Sequence, residues 1–269
     1  MLSFVGRSLI AVLLTSMLTG LLGSYVVARR MVFISGGVTH SSFAGLGFGF
    51  YMGISPLLSA MGSAVLSALG VQWLSQRGGV REDSAIAAIW SLGMALGIIF
   101  TFLTPGYTPS LSSFLFGNIL LITTSELLML GIFLVLSILL VTLLYWPLLW
   151  ISFDPEQAEL SGLKVKRFQY GMIIWMALSI VLCIRAMGIM MLMSMLTIPQ
   201  MTVSLFFHRF HHILIFSILY SMLVVGIAFG ISLYVNIPTG ALSVLLFAIV
   251  FLFLKLILWL GVRRKAGSK

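Results

Sequence analysis

The sequence predicts an all-α membrane protein, a polytopic bundle of eight or nine transmembrane helices. Of its 269 residues, 61% are hydrophobic and only 8% are charged, and the mean hydropathy is +1.19. A soluble domain carries about 25% charged residues, so the composition excludes a soluble fold. Apolar runs of about 20 residues, enough to cross a bilayer as a helix, follow one another along nearly the whole chain. Because the connections between them are short, we interpret residues 1–269 as one transmembrane domain.

The spans follow from these apolar runs, and the basic residues give their orientation. The sixth and seventh runs are short and nearly joined, which leaves eight and nine spans open. Cytoplasmic loops carry an excess of Lys and Arg. If the segment 150–168 is cytoplasmic, twelve of the 15 Lys and Arg lie inside in a nine-span topology, the exceptions being Arg7, Arg185 and Lys255. This distribution favours nine spans with an outer N-terminus, at residues 8–28, 32–52, 55–75, 85–103, 125–148, 170–186, 187–205, 212–234 and 239–262.

The net charge of +9 and the pI near 10.1 also reflect the excess of Lys and Arg in the cytoplasmic loops. The basic residues lie between apolar spans instead of forming a soluble patch, so no nucleic-acid partner is expected. The single cysteine, Cys183, excludes an internal disulfide. The sequence also lacks a GxxxxGK[ST] phosphate-binding loop, so any ATP hydrolysis would take place in a partner subunit.

One histidine lies at membrane depth. His40 follows Arg30, at the inner surface, by ten residues, which is about 15 Å along a helix and half the thickness of the hydrocarbon core. An ionisable residue at that depth typically marks a substrate or ion path. Neutral imidazole is also the commonest protein ligand for transition metals. The alternative is a histidine that is simply hydrogen-bonded across a helix interface.

Small residues recur every four positions on the same predicted helix. Positions four apart share one helix face, and small residues let helix backbones approach closely in lipid. We therefore predict a narrow packing surface beside His40, along the pore, formed by Gly37, Ser41, Gly45, Gly49 and Gly53.

The longest cytoplasmic segment predicts a short helix at about 153–163. Asp154 is a typical N-cap, Pro155 suits the first helical position, Glu156 suits the first turn, and Gly162 is a typical end. Such a helix would lie between two spans at the inner surface.

The spacing Glu156-Gln157-Ala158-x-x-x-Gly162 resembles the loop by which ABC-importer permeases contact their ATPase. In that class the short helix docks into a groove of the ATPase, and Ala158 and Gly162 would permit close docking. An ordinary interfacial loop is the alternative.

Several motifs in the same order resemble one family, the membrane permeases of bacterial zinc, manganese and iron ABC importers. The resemblance covers about 230 residues. Its motifs are Arg29-Arg30-Met31 with His40 and Gly45, then Arg81–Ile86, Leu115–Leu120, Phe153–Leu163, Gly188–Pro199 and Pro238–Ala241.

The resemblance implies a transport subunit without catalysis of its own. It would import a divalent transition-metal ion across the bacterial cytoplasmic membrane and hold no stably bound cofactor. The implied partners are an ATP-binding ABC subunit, an extracytoplasmic metal-binding protein and a second permease copy, as in a homodimer.

The chain departs from the family at one position. The family has an aspartate four residues before the histidine, and here that position is Gly36. Mn²⁺ prefers oxygen ligands and would miss the carboxylate more than Zn²⁺ would, so we favour zinc ahead of manganese or iron. The alternative is that His40 is a vestige of the family pattern without a role in transport, and that the pore simply lets the ion through.

Other functions and sites remain as alternatives. A permease for a larger metal chelate, such as iron-siderophore or cobalamin, would usually be longer. An intramembrane enzyme would need a motif such as HExxH or GxSxG, and neither occurs.

The methionine-rich run 187–195 suggests a soft-metal site, but packing is favoured. His208, His211 and His212 form either a metal exit relay or, as we favour, a solvated turn. Glu126 contacts the delivery protein or caps the fifth helix.

Overall fold

The computed structural model of the chain describes residues 4–106, 117, 119, 122–235 and 237–266. These residues contain no strand, and the predicted all-α fold is confirmed. Numbered in chain order, the helices are α1 Phe4–Ala28, α2 Val32–Met52, α3 Pro56–Gln76, α4 Glu82–Leu103, α5 Thr124–Leu143, α6 Tyr145–Phe153, α7 Pro155–Leu160, α8 Val165–Met187, α9 Ile189–Met195, α10 Ile198–Ser204, α11 Phe210–Val235 and α12 Thr239–Ala266.

Within the described residues, seven helices are long and apolar enough to cross a membrane, namely α1, α3, α4, α5, α8, α11 and α12. The helix α2 has 21 residues, among them five glycines and three serines, and is not one of these seven. The apolar stretch Ile189–Ser204, formed by α9 and α10, is shorter. Together these nine segments occupy the nine predicted spans.

The predicted fifth span is wrong as a single helix. Helix α5 ends at Leu143 and α6 starts at Tyr145, with Leu144 between them at φ −103° and ψ 20°. Pro147 is the reason, because its nitrogen has no hydrogen to donate to the Leu143 carbonyl and its ring would clash with that carbonyl.

The predicted seventh span is interrupted once, between α9 and α10, and the glycine before α9 lies close to the predicted boundary between the sixth and seventh spans. Gly188 separates α8 from α9 at φ 78° and ψ 168°. Thr197, at φ −129° and ψ −57°, separates α9 from α10, whose first turn contains Pro199. Pro199 accounts for this break, because its nitrogen has no hydrogen to donate to the Met195 carbonyl and its ring would clash with that carbonyl.

Helices α1, α2 and α8 form the centre of the bundle. Most residues of α2 are buried, and α2 lies between α3 and α4. The outer helices instead expose large apolar side chains, such as Leu66, Phe102 and Leu143, each more than two thirds exposed. An apolar surface of this extent fits a lipid environment.

Candidate functional site

The imidazole of His40 stacks on an aromatic ring of the neighbouring helix. His40 lies on α2, half buried, and its ring is parallel to Trp90 of α4, with centroids 4.2 Å apart and an angle of 9° between the planes. In the described part of the chain, its buried Nδ1 has no hydrogen-bond partner. A buried nitrogen that lacks a hydrogen-bond partner costs about 1–3 kcal/mol.

Gly36 lies one turn before His40 and faces a methionine. A methyl group on Gly36 would lie 2.9 Å from Met193 Cε, 3.6 Å from Met193 Sδ and 3.9 Å from the ring of Trp90. The thioether of Met193, on α9, therefore fills the space in which a side chain of residue 36 would start.

The predicted small-residue surface packs against two helices. Gly37 faces α4, because a methyl group there would lie 2.8 Å from Ile86 Cγ2. Gly49 faces α3, because a methyl group there would lie 2.7 Å from Pro56 Cα. Gly45 also faces α3, and its N–H donates a hydrogen bond to Ser63 Oγ at 3.1 Å.

Gly53 does not belong to this surface, so that part of the prediction is wrong. It caps the C-terminus of α2 with left-handed backbone at φ 67° and ψ 22°, and its N–H donates to the Phe50 carbonyl at 3.3 Å. A methyl group on Gly53 would meet no atom within 4 Å. Glycine is common at this position because its backbone adopts positive φ without strain.

Two glycines of α4 complete the interface, and the sequence analysis missed them. Methyl groups on Gly93 and Gly97 would collide with backbone atoms of Ser41 and Phe43, and one on Gly47 would collide with the Gly97 carbonyl. The signal was present in the sequence, since Gly93 and Gly97 have the GxxxG spacing of close helix packing. No comparable signal paired Trp90 with His40.

The short helix α7 has both of its predicted caps. Asp154 Oδ1 accepts a hydrogen bond from the Gln157 N–H at 3.0 Å. At the other end, Gly162 has φ 85°. The N–H of Leu163 then bonds the Ala158 carbonyl at 3.1 Å, which is a Schellman cap.

The orientation of α7 corrects the role expected for Ala158. Its side chain is fully buried and belongs to a small apolar cluster with Ile151 and Val165, so it attaches α7 to the membrane domain. The outer face of α7 and its approach carry exposed apolar side chains, with Leu160 84% and Phe153 64% exposed. Pro155 is half buried, and Glu156 and Gly162 are exposed.

Arg29, from the motif Arg29-Arg30-Met31, connects this region to the core. The Arg29 side chain, at the end of α1, donates from Nη1 to the Ile151 carbonyl at 2.7 Å. Ile151 in turn packs on Ala158. The base of the cytoplasmic segment is thus fixed to α1.

Glu126 lies in a cavity at the opposite end of the bundle. It forms a capping box with Thr123 at the start of α5, so the capping interpretation is confirmed. It also pairs with Arg185 of α8 at 2.8 Å. The cavity of about 430 Å³ beside this pair includes Leu46 and Phe50 of α2.

Of His208, His211 and His212, only the last two have their rings in contact. His211 and His212 have centroids 4.0 Å apart, and His212 also contacts Phe207. Among the residues that the structure describes, no group of three or more His, Cys, Asp or Glu side chains is placed to hold a metal ion. The solvated turn stays the favoured interpretation.

One protein family matches nearly the whole chain. The family described as the ABC 3 transport family matches residues 1–258. A probable metal transport system membrane protein of Chlamydia trachomatis is 31% identical over 89% of this chain and 84% of that protein. The manganese transport system membrane protein MntC of Halalkalibacterium halodurans is 30% identical, over 93% and 87%.

Solved structures show the same fold. PsaBC from Streptococcus pneumoniae in complex with Fab matches with a TM-score of 0.84 at 24% identity, over 93% of this chain and 90% of that one. An inward-facing putative metal-chelate type ABC transporter matches with a TM-score of 0.68 at 21% identity, over 91% and 83%.

Proposed function

Since this chain belongs to the ABC 3 transport family, we propose that it is the permease subunit that carries a divalent transition-metal ion into the cell. It is a multi-pass protein of the cytoplasmic membrane. The observation that supports the cargo is His40, an imidazole near the middle of helix α2 whose buried Nδ1 has no partner in the described chain. The names of the relatives as metal and manganese transport proteins support the same class of cargo.

We favour zinc as the ion, ahead of manganese or iron. Gly36 contributes no carboxylate beside His40, and the groups in contact at this level are Trp90 and Met193, which carry no oxygen. Mn²⁺ prefers carboxylate and carbonyl ligands, whereas imidazole and sulfur ligands suit Zn²⁺. The manganese names of some relatives belong to those proteins, and the uptake experiment below compares the ions directly.

The energy would come from an ATP-binding partner subunit that docks on α7. Leu160 and Phe153 present apolar side chains to the cytoplasm on a helix that Ala158 fixes to the membrane domain. Exposed apolar groups of this kind typically mark contacts with a partner protein. A second permease copy, as in a homodimer, and an extracytoplasmic metal-binding protein complete the assembly that we propose.

The cargo is tested by metal accumulation in cells. The chain is expressed with its ATPase and delivery protein in a strain without its own zinc and manganese importers, and cellular zinc, manganese and iron are measured together. We expect zinc to accumulate and His40→Ala to reduce that accumulation about tenfold, the size of effect found when a metal site loses a supporting group.

The control is Ser42→Ala, because the Ser42 hydroxyl bonds only the Thr39 carbonyl of its own helix, at 2.6 Å. Unchanged uptake in His40→Ala would remove His40 from the path. No uptake of any ion by the assembled complex would favour a larger metal chelate as cargo.

The docking helix is tested by Leu160→Ala. Loss of one buried leucine contact is worth about 1.5 kcal/mol, so we expect roughly tenfold less ATPase to copurify with the permease. Leu58→Ala, at a leucine 66% exposed on the membrane-spanning helix α3, is the matched control. Equal recovery of ATPase with both variants would contradict docking through Leu160.

A further inference from the structure

Met193 lies where the side chain of residue 36 would be. A methyl group on Gly36 would lie 3.6 Å from Met193 Sδ. Gly36 and His40 are one turn apart, about 6 Å along the helix, and share one side of α2. Met193 and His40 therefore lie at neighbouring levels of the same side of α2.

Trp90 connects the two groups. Its ring stacks on His40 at 4.2 Å and lies 3.9 Å from the same methyl position of Gly36. An imidazole, a thioether and the edge of an indole thus lie beside one short segment of α2. His40 Nδ1 is buried there without a hydrogen-bond partner in the described chain. Nitrogen and sulfur donors form an environment suited to a borderline or soft cation.

The methionines of α9 are not equivalent. Met191 and Met195 are 1% and 0% exposed and belong to the main apolar core, where methionine serves as an adaptable filler. Met193 is only half buried and contacts the side of α2 that carries His40. It is carried by a seven-residue helix with a backbone break at each end, Gly188 and Thr197. Met191 and Met195 therefore pack in the core, whereas Met193 packs against the side of α2 that carries His40.

We propose that Met193 Sδ is a specificity-determining donor that contacts the passing ion together with His40. This inference rests on the proposed function, since it concerns the same path. The thioether occupies the position from which a carboxylate of residue 36 would reach the ion, so the path selects Zn²⁺ against Mn²⁺. Sulfur donors suit Zn²⁺, and Mn²⁺ requires oxygen.

The test offers the ions directly, so that an external delivery protein cannot choose between them. Equilibrium binding of radioactive zinc and manganese is measured on the purified permease–ATPase complex. Binding at the path is defined as the part that His40→Ala removes, which excludes zinc held by surface histidines such as His211 and His212.

The decisive variant is Met193→Leu, which keeps the apolar volume and removes the sulfur. We expect its zinc affinity to fall about tenfold while its manganese affinity changes less than about twofold. Met191→Leu, a change of the same kind in the core, should leave both affinities unaltered. The double variant Gly36→Asp/Met193→Ala places a carboxylate in the vacated space and should raise manganese affinity at least about tenfold relative to Met193→Ala.

The outcomes separate the two proposals. Unchanged zinc affinity in Met193→Leu, or an equal fall for both ions, would overturn the role of Met193 while leaving a metal permease intact. Zinc binding that His40→Ala leaves untouched would overturn it too. The proposed function itself fails only if the parent complex, with its delivery protein, accumulates no metal in cells.

Discussion

Helix α2 contacts its neighbours in two different ways. Its contacts with α3 and α4 are with backbone atoms, whereas its contact with α9, beside His40, is with a side chain. Towards α3 and α4 it meets backbone atoms, such as the Gly97 carbonyl against Gly47 and Pro56 Cα against Gly49. Towards α9 it meets the end of a flexible side chain, Met193 Cε at 2.9 Å from the methyl position of Gly36. Backbone cannot move aside without moving a whole helix, whereas a methionine can adopt another rotamer. The first contact fixes helix positions, and the second leaves room for adjustment beside His40.

The largest effect should come from adding a methyl group on the rigid side. In Gly97→Ala the new carbon would lie 2.6 Å from the Phe43 carbonyl oxygen, and we expect the free energy of unfolding to fall by about 3 kcal/mol. Gly62→Ala on α3 is the control, since a methyl group there would meet no atom within 4 Å. Thermal unfolding of the purified permease in detergent measures both. Similar unfolding midpoints for the two variants would contradict the conclusion that backbone contacts fix α2 against α4.

A smaller effect is expected when the stacking partner of His40 is removed. Trp90→Leu loses a parallel ring at 4.2 Å, a contact worth about 1 kcal/mol beyond its buried area. We expect modest destabilisation but a clear loss of zinc uptake, because the imidazole is no longer held in one plane. Uptake and thermal unfolding are measured on the same preparations, with Trp146→Leu at an exposed tryptophan as the control. If uptake fell no more than protein stability, stacking would have no role beyond packing.

Adding a methyl group on the adjustable side should cost less still. In Gly36→Ala the new carbon meets only the movable end of Met193, so we expect a loss below about 1 kcal/mol. The same thermal measurement checks this value against Gly97→Ala. A loss as large as that of Gly97→Ala would mean that α9 is fixed as firmly as α4.

The smallest effect is expected at the ion pair of the outer cavity, away from both contacts. The side chains of Arg185 and Glu126 are 45% and 15% exposed, and pairs that solvent reaches contribute about 0–1 kcal/mol. Arg185→Gln should therefore shift the unfolding midpoint little, while Thr123 still caps α5 with Glu126. Circular dichroism during heating tests this. A shift above that of Trp90→Leu would indicate that the pair fastens α5 to α8.

The sequence predicted what depends on local pattern and missed what depends on neighbours. Apolar length located the spans, and the capping pattern from Asp154 to Gly162 located a helix that the structure contains as α7. Pro147 could have predicted the division of the fifth span, because the effect of proline is local. The inward orientation of Ala158 and the stacking of Trp90 on His40 arise between helices distant in sequence. The contact of Met193 with Gly36 likewise joins two helices distant in sequence, α9 and α2, so the methionine-rich pattern alone indicated only packing.

The hydrogen bond from Arg29 to the Ile151 carbonyl links the movement of α1 to that of the segment before α7. It fixes the inner end of α1, a helix of 25 residues, to the segment that supports α7. Because Ala158 is seated on Ile151 and Val165, the same segment also bears on the start of α8. Only residues 161–164 separate α7 from α8. A displacement of Leu160 would therefore also displace the end of α1 and the start of α8, because direct contacts join these elements.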